Sequence, residues 1–220
     1  MNDAEWATCT APLKMLLCLR QRNSRRRVSE RKLRLFACAC VRRLWQILTP
    51  ADSSVRAVET AERFADGEAS LLDLRAASEA AEGWSEDAAD GAAKAAACYT
   101  TLLPQDVPSD CYSHWTEPVT GHAKEAGIGA DVQCALLREI FGKTCSKLPA
   151  VNPFVLAWSD GAVRKIAQLI YDDRAFDQLP LLADALEDSN CTDAAMLTHC
   201  REPGEHVRGC WVVDLLLGKT

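Results

Sequence analysis

Residues 29 to 48 constrain the fold more than any other stretch. Leu33, Phe36, Ala37, Cys40, Val41, Leu44 and Leu48 recur at the three-and-four spacing of one helix face. Ser29 is a helix N-cap by type, Glu30 stands in the first turn, and Arg42 and Arg43 lie toward the C-terminal end, the distribution a helix dipole favours. Cys40 falls on the apolar face, whereas Cys38 is rotated away from it, so this spacing does not aim the two thiols at one ligand.

The same period continues along the chain. A second helix is expected from about Asp52 to Ala65, marked by Val55, Val58, Ala61, Glu62 and Phe64 and stopped by Gly67. A third opens at Ser70, where Asp73 completes a capping-box pattern, and runs through alanine-rich sequence toward Leu103, with Gly83 and Gly91 placed to bend or divide it. Alanine at so many positions lets neighbouring helices approach closely. Pro104, Pro108, Pro118 and Gly121 then punctuate a long connection. Beyond it, "ADVQCALLREIFG" is helical to Gly142, and "SDGAVRKIAQLIYDD" starts a new helix capped by Ser159 or Asp160 with a face of Val163, Ile166, Ala167 and Ile170. Pro180 suits the first turn of the next helix, Thr192 is read as the cap of "DAAMLTHC", and a last helix is read as beginning by Glu205. The expected class is all-α: a helical bundle or helix-hairpin stack of two lobes, residues 1–103 and 123–220, joined by a linker at 104–122.

A chain of 220 residues buries enough apolar surface to fold without disulfides or metal. The start, "MNDAEWATCTAPLKMLLCLRQR", lacks the positive segment of a signal peptide, and its apolar run is too short to cross a bilayer. The expectation is a cytoplasmic protein with no membrane role, whose 11 cysteines stay reduced; no Cys-x-x-Cys pair suggests a redox couple or zinc ribbon.

Chemistry concentrates near the C-terminus. "CTDAAMLTHCREPGEHVRGC" holds Cys191, His199, Cys200, His206 and Cys210. Zinc takes four nitrogen or sulfur ligands in a tetrahedron. A helix capped by Thr192 separates Cys191 from His199 by about 12 Å, while adjacent His199 and Cys200 diverge, so one of these two joins His206 and Cys210. The fourth ligand is then Cys191 through a tight turn, a remote cysteine such as Cys38, or water. The competing reading packs Cys191, Cys200 and Cys210 in the core and leaves the histidines bonding backbone carbonyls. A catalytic cysteine–histidine pair is the third reading, although nothing marks an oxyanion hole or an orienting acid. Cys111, His114 and His122 raise the same ligand question in the linker.

Asp214, inside "CWVVDLLL", needs a cation if that run is core; Arg208 is the leading candidate, with Arg201 or an arginine of the first long helix as alternatives. The segment "RQRNSRRRVSERKLR" gathers Arg20, Arg22, Arg25, Arg26, Arg27, Arg31, Lys32 and Arg34 at the head of an otherwise acidic chain of net charge −6. That density suits phosphate contact, but no aromatic residues are interleaved for base stacking, and the competing reading is a solvated face that pairs with acidic surface.

"RKLRLFACACVRRLWQILT", "LLREIFG", "IYDDRAFDQLPLLADALEDSNC" and "HCREPGEHVRGCWVVDLLLGK" together resemble a heavily duplicated planctomycete family of helical proteins. That resemblance implies a helical fold and no particular reaction. Family members often carry a cysteine where this chain has Val41, so the resemblance gives that position no ligand role here. With no phosphate-cradling glycine loop, nucleophile elbow, paired-carboxylate motif or HExxH helix, the leading expectation is a non-enzymatic module binding another macromolecule, most directly a protein. A zinc protein built on the C-terminal cysteines and histidines, and a nucleic-acid binder using residues 20–34, are the alternatives.

Overall fold

The computed structural model of the chain describes residues 1–21, 29–46, 48, 53–81, 88–101, 120–142 and 150–219. Among these, every regular element is helical and no strand occurs. The helices are α1 (Asp3–Thr8), α2 (Pro12–Gln21), α3 (Glu30–Arg42), α4 (Ser53–Ala65), α5 (Leu71–Ala81), α6 (Ala88–Thr101), α7 (Ala130–Phe141), α8 (Pro153–Asp173), α9 (Leu179–Asp188), α10 (Ala194–Arg201) and α11 (Trp211–Leu217). None of them is long and apolar enough to cross a membrane.

Helix α3 is the axis of the first half. Ser29 caps it by accepting the Lys32 amide at 3.3 Å. Every residue from Lys32 to Val41 is buried, because α4, α6 and α7 all pack against it. This corrects the one-sided helix expected from the spacing. Cys38 does not point away from the core but lies fully buried with its Sγ 3.9 Å from the Val58 carbonyl of α4. Burial pushes the Cys40 thiol up to about 12, against the pull of Arg43, and raises Cys38 as well.

Small side chains set the spacing of the neighbours. Ala92, Ala93, Ala96 and Ala97 of α6 are buried where it meets α3 and α4. Helix α5 opens with the expected box: the Ser70 amide donates to Asp73 at 2.8 Å and the Asp73 amide donates back to the Ser70 hydroxyl at 3.2 Å. An unforeseen box, Asn2 with Glu5, starts α1.

The buried apolar residues form two clusters, one from Trp6 to Ile140 and one from Val155 to Leu216. The linker expected at 104–122 lies outside the described residues up to position 119. Helix α7, expected with the second lobe, belongs to the first because it packs on α2 and α3. The indole of Trp6 donates to the Gly142 carbonyl at 2.9 Å, and Arg138 bonds the carbonyls of Trp6 and Cys9, fixing α1 to the end of α7.

In the second cluster, α8 breaks at Trp158, and Ser159, Asp160 and Gly161 all take left-handed backbone with φ of 47°, 54° and 76°. The helix restarts where the sequence pattern places its cap. Pro180 sits in the first turn of α9, as expected.

Charge joins the two halves. The Asp66 carboxylate, its side chain enclosed just past the end of α4, accepts the Tyr171 hydroxyl at 2.7 Å and meets Arg31 at 3.0 Å, Arg208 at 2.8 Å and Lys219 at 3.3 Å. One turn earlier, Glu62 accepts Arg42 at 2.6 Å and also pairs with Arg174. Burial alone would raise both carboxyls, but the Tyr171 hydroxyl with Arg208, Arg31 and Lys219 holds Asp66 below its ordinary 3.8, and Arg42 with Arg174 holds Glu62 below 4.5.

The partner expected for Asp214 needs correction. Asp214 is paired with Arg31, at 2.6 Å and 3.0 Å, while Arg208 is drawn to Asp66 instead. A planar guanidinium on the first turn of α3 reaches both oxygens of the carboxylate across the junction, which suits the bidentate preference of arginine. Arg201 pairs with Asp184 and Glu187 on the surface.

The same inward turn corrects part of the basic patch. Arg31 is engaged as above, Lys32 donates to the Ile140 carbonyl at 2.9 Å, and the Arg34 guanidinium donates to the Thr100 carbonyl. All three lie on a helix enclosed by other helices, so their cationic ends satisfy carboxylates and carbonyl groups. Arg22, Arg25, Arg26 and Arg27, and the side chain of Arg20, lie outside the described residues.

Candidate metal centre

Three segments converge on the seam beside that charged junction. Helix α7 supplies Glu139 from its last turn, α10 supplies His199 from its own last turn, and the connection between α10 and α11 supplies His206 and Cys210. Their ligand atoms all lie within 4.8 Å of one another. His199 Nε2 stands 3.2 Å from Cys210 Sγ and 3.4 Å from Glu139 Oε2, while His206 Nδ1 lies 3.0 Å from Glu139 Oε1. Glu139, His199 and Cys210 are buried, and the His206 side chain is only 9% exposed. The two imidazoles meet edge to face with centroids 4.9 Å apart, and Trp211 closes one side of His199 at 5.3 Å.

The local backbone explains the convergence. Asp193, not Thr192, caps α10 by accepting the Met196 amide at 3.0 Å. The last helix begins at Trp211, so His206 and Cys210 do not share a helix face as expected. They approach instead because the chain turns tightly at 208–209, where the Cys210 amide donates to the Val207 carbonyl at 2.9 Å. Gly209 makes this turn with φ of 95°, and a Cβ there would stand 3.0 Å from Leu35 Cδ1. Replacing Gly209 with alanine should lower stability by about 1–3 kcal/mol, read from urea unfolding, since both the backbone and buried Leu35 must yield.

The electrostatics are set by burial and by Glu139. Desolvation would raise this carboxyl, but hydrogen bonds from His199 and His206 hold it down at about 2. Burial lowers His206, yet the Glu139 carboxylate more than offsets this and raises it above its ordinary range. The Cys210 thiol is driven well above the usual range by burial and then by Glu139, against the amides of Val213 and Val212. Burial therefore disfavours the free thiolate that a nucleophilic cysteine needs. A metal ion reverses that balance, because binding removes the thiol proton.

The donor set fits such an ion. Zinc bound at 2.0–2.3 Å places its ligands about 3.3–3.7 Å apart in a tetrahedron, close to the separations of His199 Nε2 from Cys210 and Glu139. His206 presents Nδ1 to the group, 3.0 Å from Glu139 Oε1, so the second imidazole meets the same carboxylate as the first.

Of the residues singled out in the sequence, His199, His206 and Cys210 are brought together, whereas Cys200 and Cys191 are not members of the group. Cys200 is buried in the second cluster, with its thiol pushed up to about 12 by burial, and Cys191 stays at its partly exposed edge. Remote Cys38 is committed to α4. Cys111 and His114 lie outside the described residues, and His122 is paired with Glu125 at 3.1 Å. Glu139 is not among the residues that the sequence singles out. Its signal was present in "LLREIFG", where a carboxylate flanks the apolar face of Leu136, Leu137 and Ile140.

Exposed apolar side chains, among them Leu72, Phe154, Leu169 and Leu181, are an ordinary part of protein surfaces and identify no partner alone. No protein-family model, curated protein or solved structure matches the chain.

Proposed function

We propose that this chain is a zinc-binding helical protein in which Glu139, His199, His206 and Cys210 hold one ion at the seam between the two halves. The observation that carries this reading is the convergence of four donors, of the types zinc accepts, within 4.8 Å in a buried setting. Glu139 comes from the first half and the other three from the second. An ion there would tie α7 to the α10–α11 connection, adding a cross-link where hydrogen bonds and ion pairs already meet. Four protein ligands leave no vacant coordination position, which favours a structural role over a catalytic one.

Cobalt tests this directly, because it enters zinc sites and reports their geometry. Metal-free protein titrated with Co(II) should develop the intense visible bands of tetrahedral cobalt and a near-ultraviolet sulfur-to-metal band, both saturating at one equivalent. Weak octahedral bands without sulfur character would refute the site.

A further inference from the structure

Lys32 of α3 stands between two of the segments that bring the four donors together. Its Nζ donates to the Ile140 carbonyl at 2.9 Å and lies 4.0 Å from the Asp214 carboxylate. Ile140 directly follows Glu139 in the last turn of α7. Asp214 lies one turn beyond Cys210, whose carbonyl accepts the Asp214 amide at 2.9 Å. One amine therefore reaches the backbone beside the carboxylate donor and a side chain one turn from the thiol donor. The same face of α3 supports the turn before Cys210, because the backbone of Gly209 is wedged between Leu35 and Ile140, 3.0 Å and 3.6 Å from where a Cβ would stand.

Packing alone does not call for lysine at this position. The side chain is only 10% exposed, and burial, aided by Arg31, lowers it below its ordinary 10.5 against the pull of Asp214 and Cys210. Asp214 is already held through both oxygens by Arg31, so its charge does not require a second cation. An apolar side chain of the same length would fill the space without taking an ammonium out of water. It could not, however, meet the Ile140 carbonyl. The last four carbonyls of an α-helix have no partner within it; in α7 the Gly142 amide meets that of Arg138, and Lys32 meets that of Ile140. The Phe141 ring lies 6.0 Å from the same nitrogen. Lys32 thus pins the final turn of α7, and Glu139 with it, to α3.

We propose that Lys32 is a positioning residue of the metal centre: by holding the end of α7 it keeps Glu139 within reach of an ion that His199, His206 and Cys210 also bind. The inference rests on the metal reading above and identifies a residue outside the ligand set on which the affinity of that site depends.

The test is titration of the metal-free whole protein with Co(II), followed by competition with a chromophoric chelator. Lys32→Met keeps the length of the side chain and removes the donor. Its cobalt affinity should fall about tenfold or more, with weaker tetrahedral bands as Glu139 loosens and a sulfur-to-metal band that persists because Cys210 is untouched. Lys32→Arg, still a donor, should recover most of the loss. In a Glu139→Ala background, Lys32→Met should cost nothing further, since a residue that acts through Glu139 has nothing left to position. Lys32→Gln, whose amide ends one bond short of Nζ, repeats the comparison if Lys32→Met does not fold. Undiminished cobalt affinity in the folded variant, or full additivity with Glu139→Ala, would overturn the positioning role and leave the metal centre standing. Wild-type protein without the tetrahedral bands would overturn both.

Discussion

Asp66→Ala is expected to lower the unfolding free energy by about 3–5 kcal/mol, because it strands cations that were taken out of water to meet this carboxylate. In a chain of this length, that corresponds to a fall in melting temperature on the order of 10 °C. Arg31 would retain Asp214, but Arg208 and Lys219 would lose the carboxylate they meet, and the Tyr171 hydroxyl would lose its acceptor. The effect should depend on pH. Asp66 and Glu62 have folded values below their ordinary 3.8 and 4.5, so their contribution is complete above those values and is lost as the pH falls through the lower, folded ones. Urea unfolding at neutral pH and again below about pH 4 should therefore show the gap between wild type and Asp66→Ala closing in acid. A constant gap across that range would mean that Asp66 acts through packing and not through its charge.

Cys210→Ala is expected to weaken zinc binding by at least about 100-fold, since it removes the thiolate of the set, whereas disturbing a supporting group typically costs 10–100-fold. The same substitution should be mild in the metal-free protein. Alanine is smaller than cysteine by one sulfur atom, so the expected loss of stability is about 1 kcal/mol. Competition with a chromophoric chelator reads the affinity, and the sulfur-to-cobalt band should vanish. Cys200→Ala is the control, being buried one position from His199 yet outside the group, and should leave metal affinity unchanged. Equal losses for both variants would indicate a general packing defect and not the removal of a ligand.

What was legible in the sequence was local. The period of α3, the Ser70–Asp73 box, the break before Gly161 and the place of Pro180 all depend on residues within a few positions of one another. The partners that decide the chemistry lie far apart. Arg31 and Asp214 are 183 positions apart, and Glu139 precedes His206 by 67. No periodicity carries information across such distances. The enclosure of α3 explains a second kind of error: its flanking faces looked polar enough for solvent, but Lys32 and Arg34 are buried with their ends on carbonyl groups, and Cys38 faces α4. The last helix was placed too early for a related reason. Pro203, Gly204 and left-handed Gly209 keep the chain from winding until Trp211, and that delay lets His206 and Cys210 turn back on His199 and Glu139. The histidine and cysteine spacing thus depends on where the last helix starts, and a helix starting by Glu205 gives His206 and Cys210 different companions from those the turn gives them.

The two halves meet through two buried polar assemblies, the Asp66 network and the Glu139 cluster, with Lys32 lying between Ile140 and Asp214. Such assemblies contribute less net stability than their many contacts suggest, because each charge has first to leave water. An ion at Glu139 would change this, since metal affinity adds directly to the stability of the folded state.

The most direct measurement is the metal content of the purified protein by native mass spectrometry, paired with its melting temperature before and after chelation. The proposed centre requires one zinc per chain, restored by stoichiometric zinc after removal, and a melting temperature that falls with chelation and recovers with the ion. Protein that takes up no zinc when it is supplied, and melts identically with and without chelator, would contradict it.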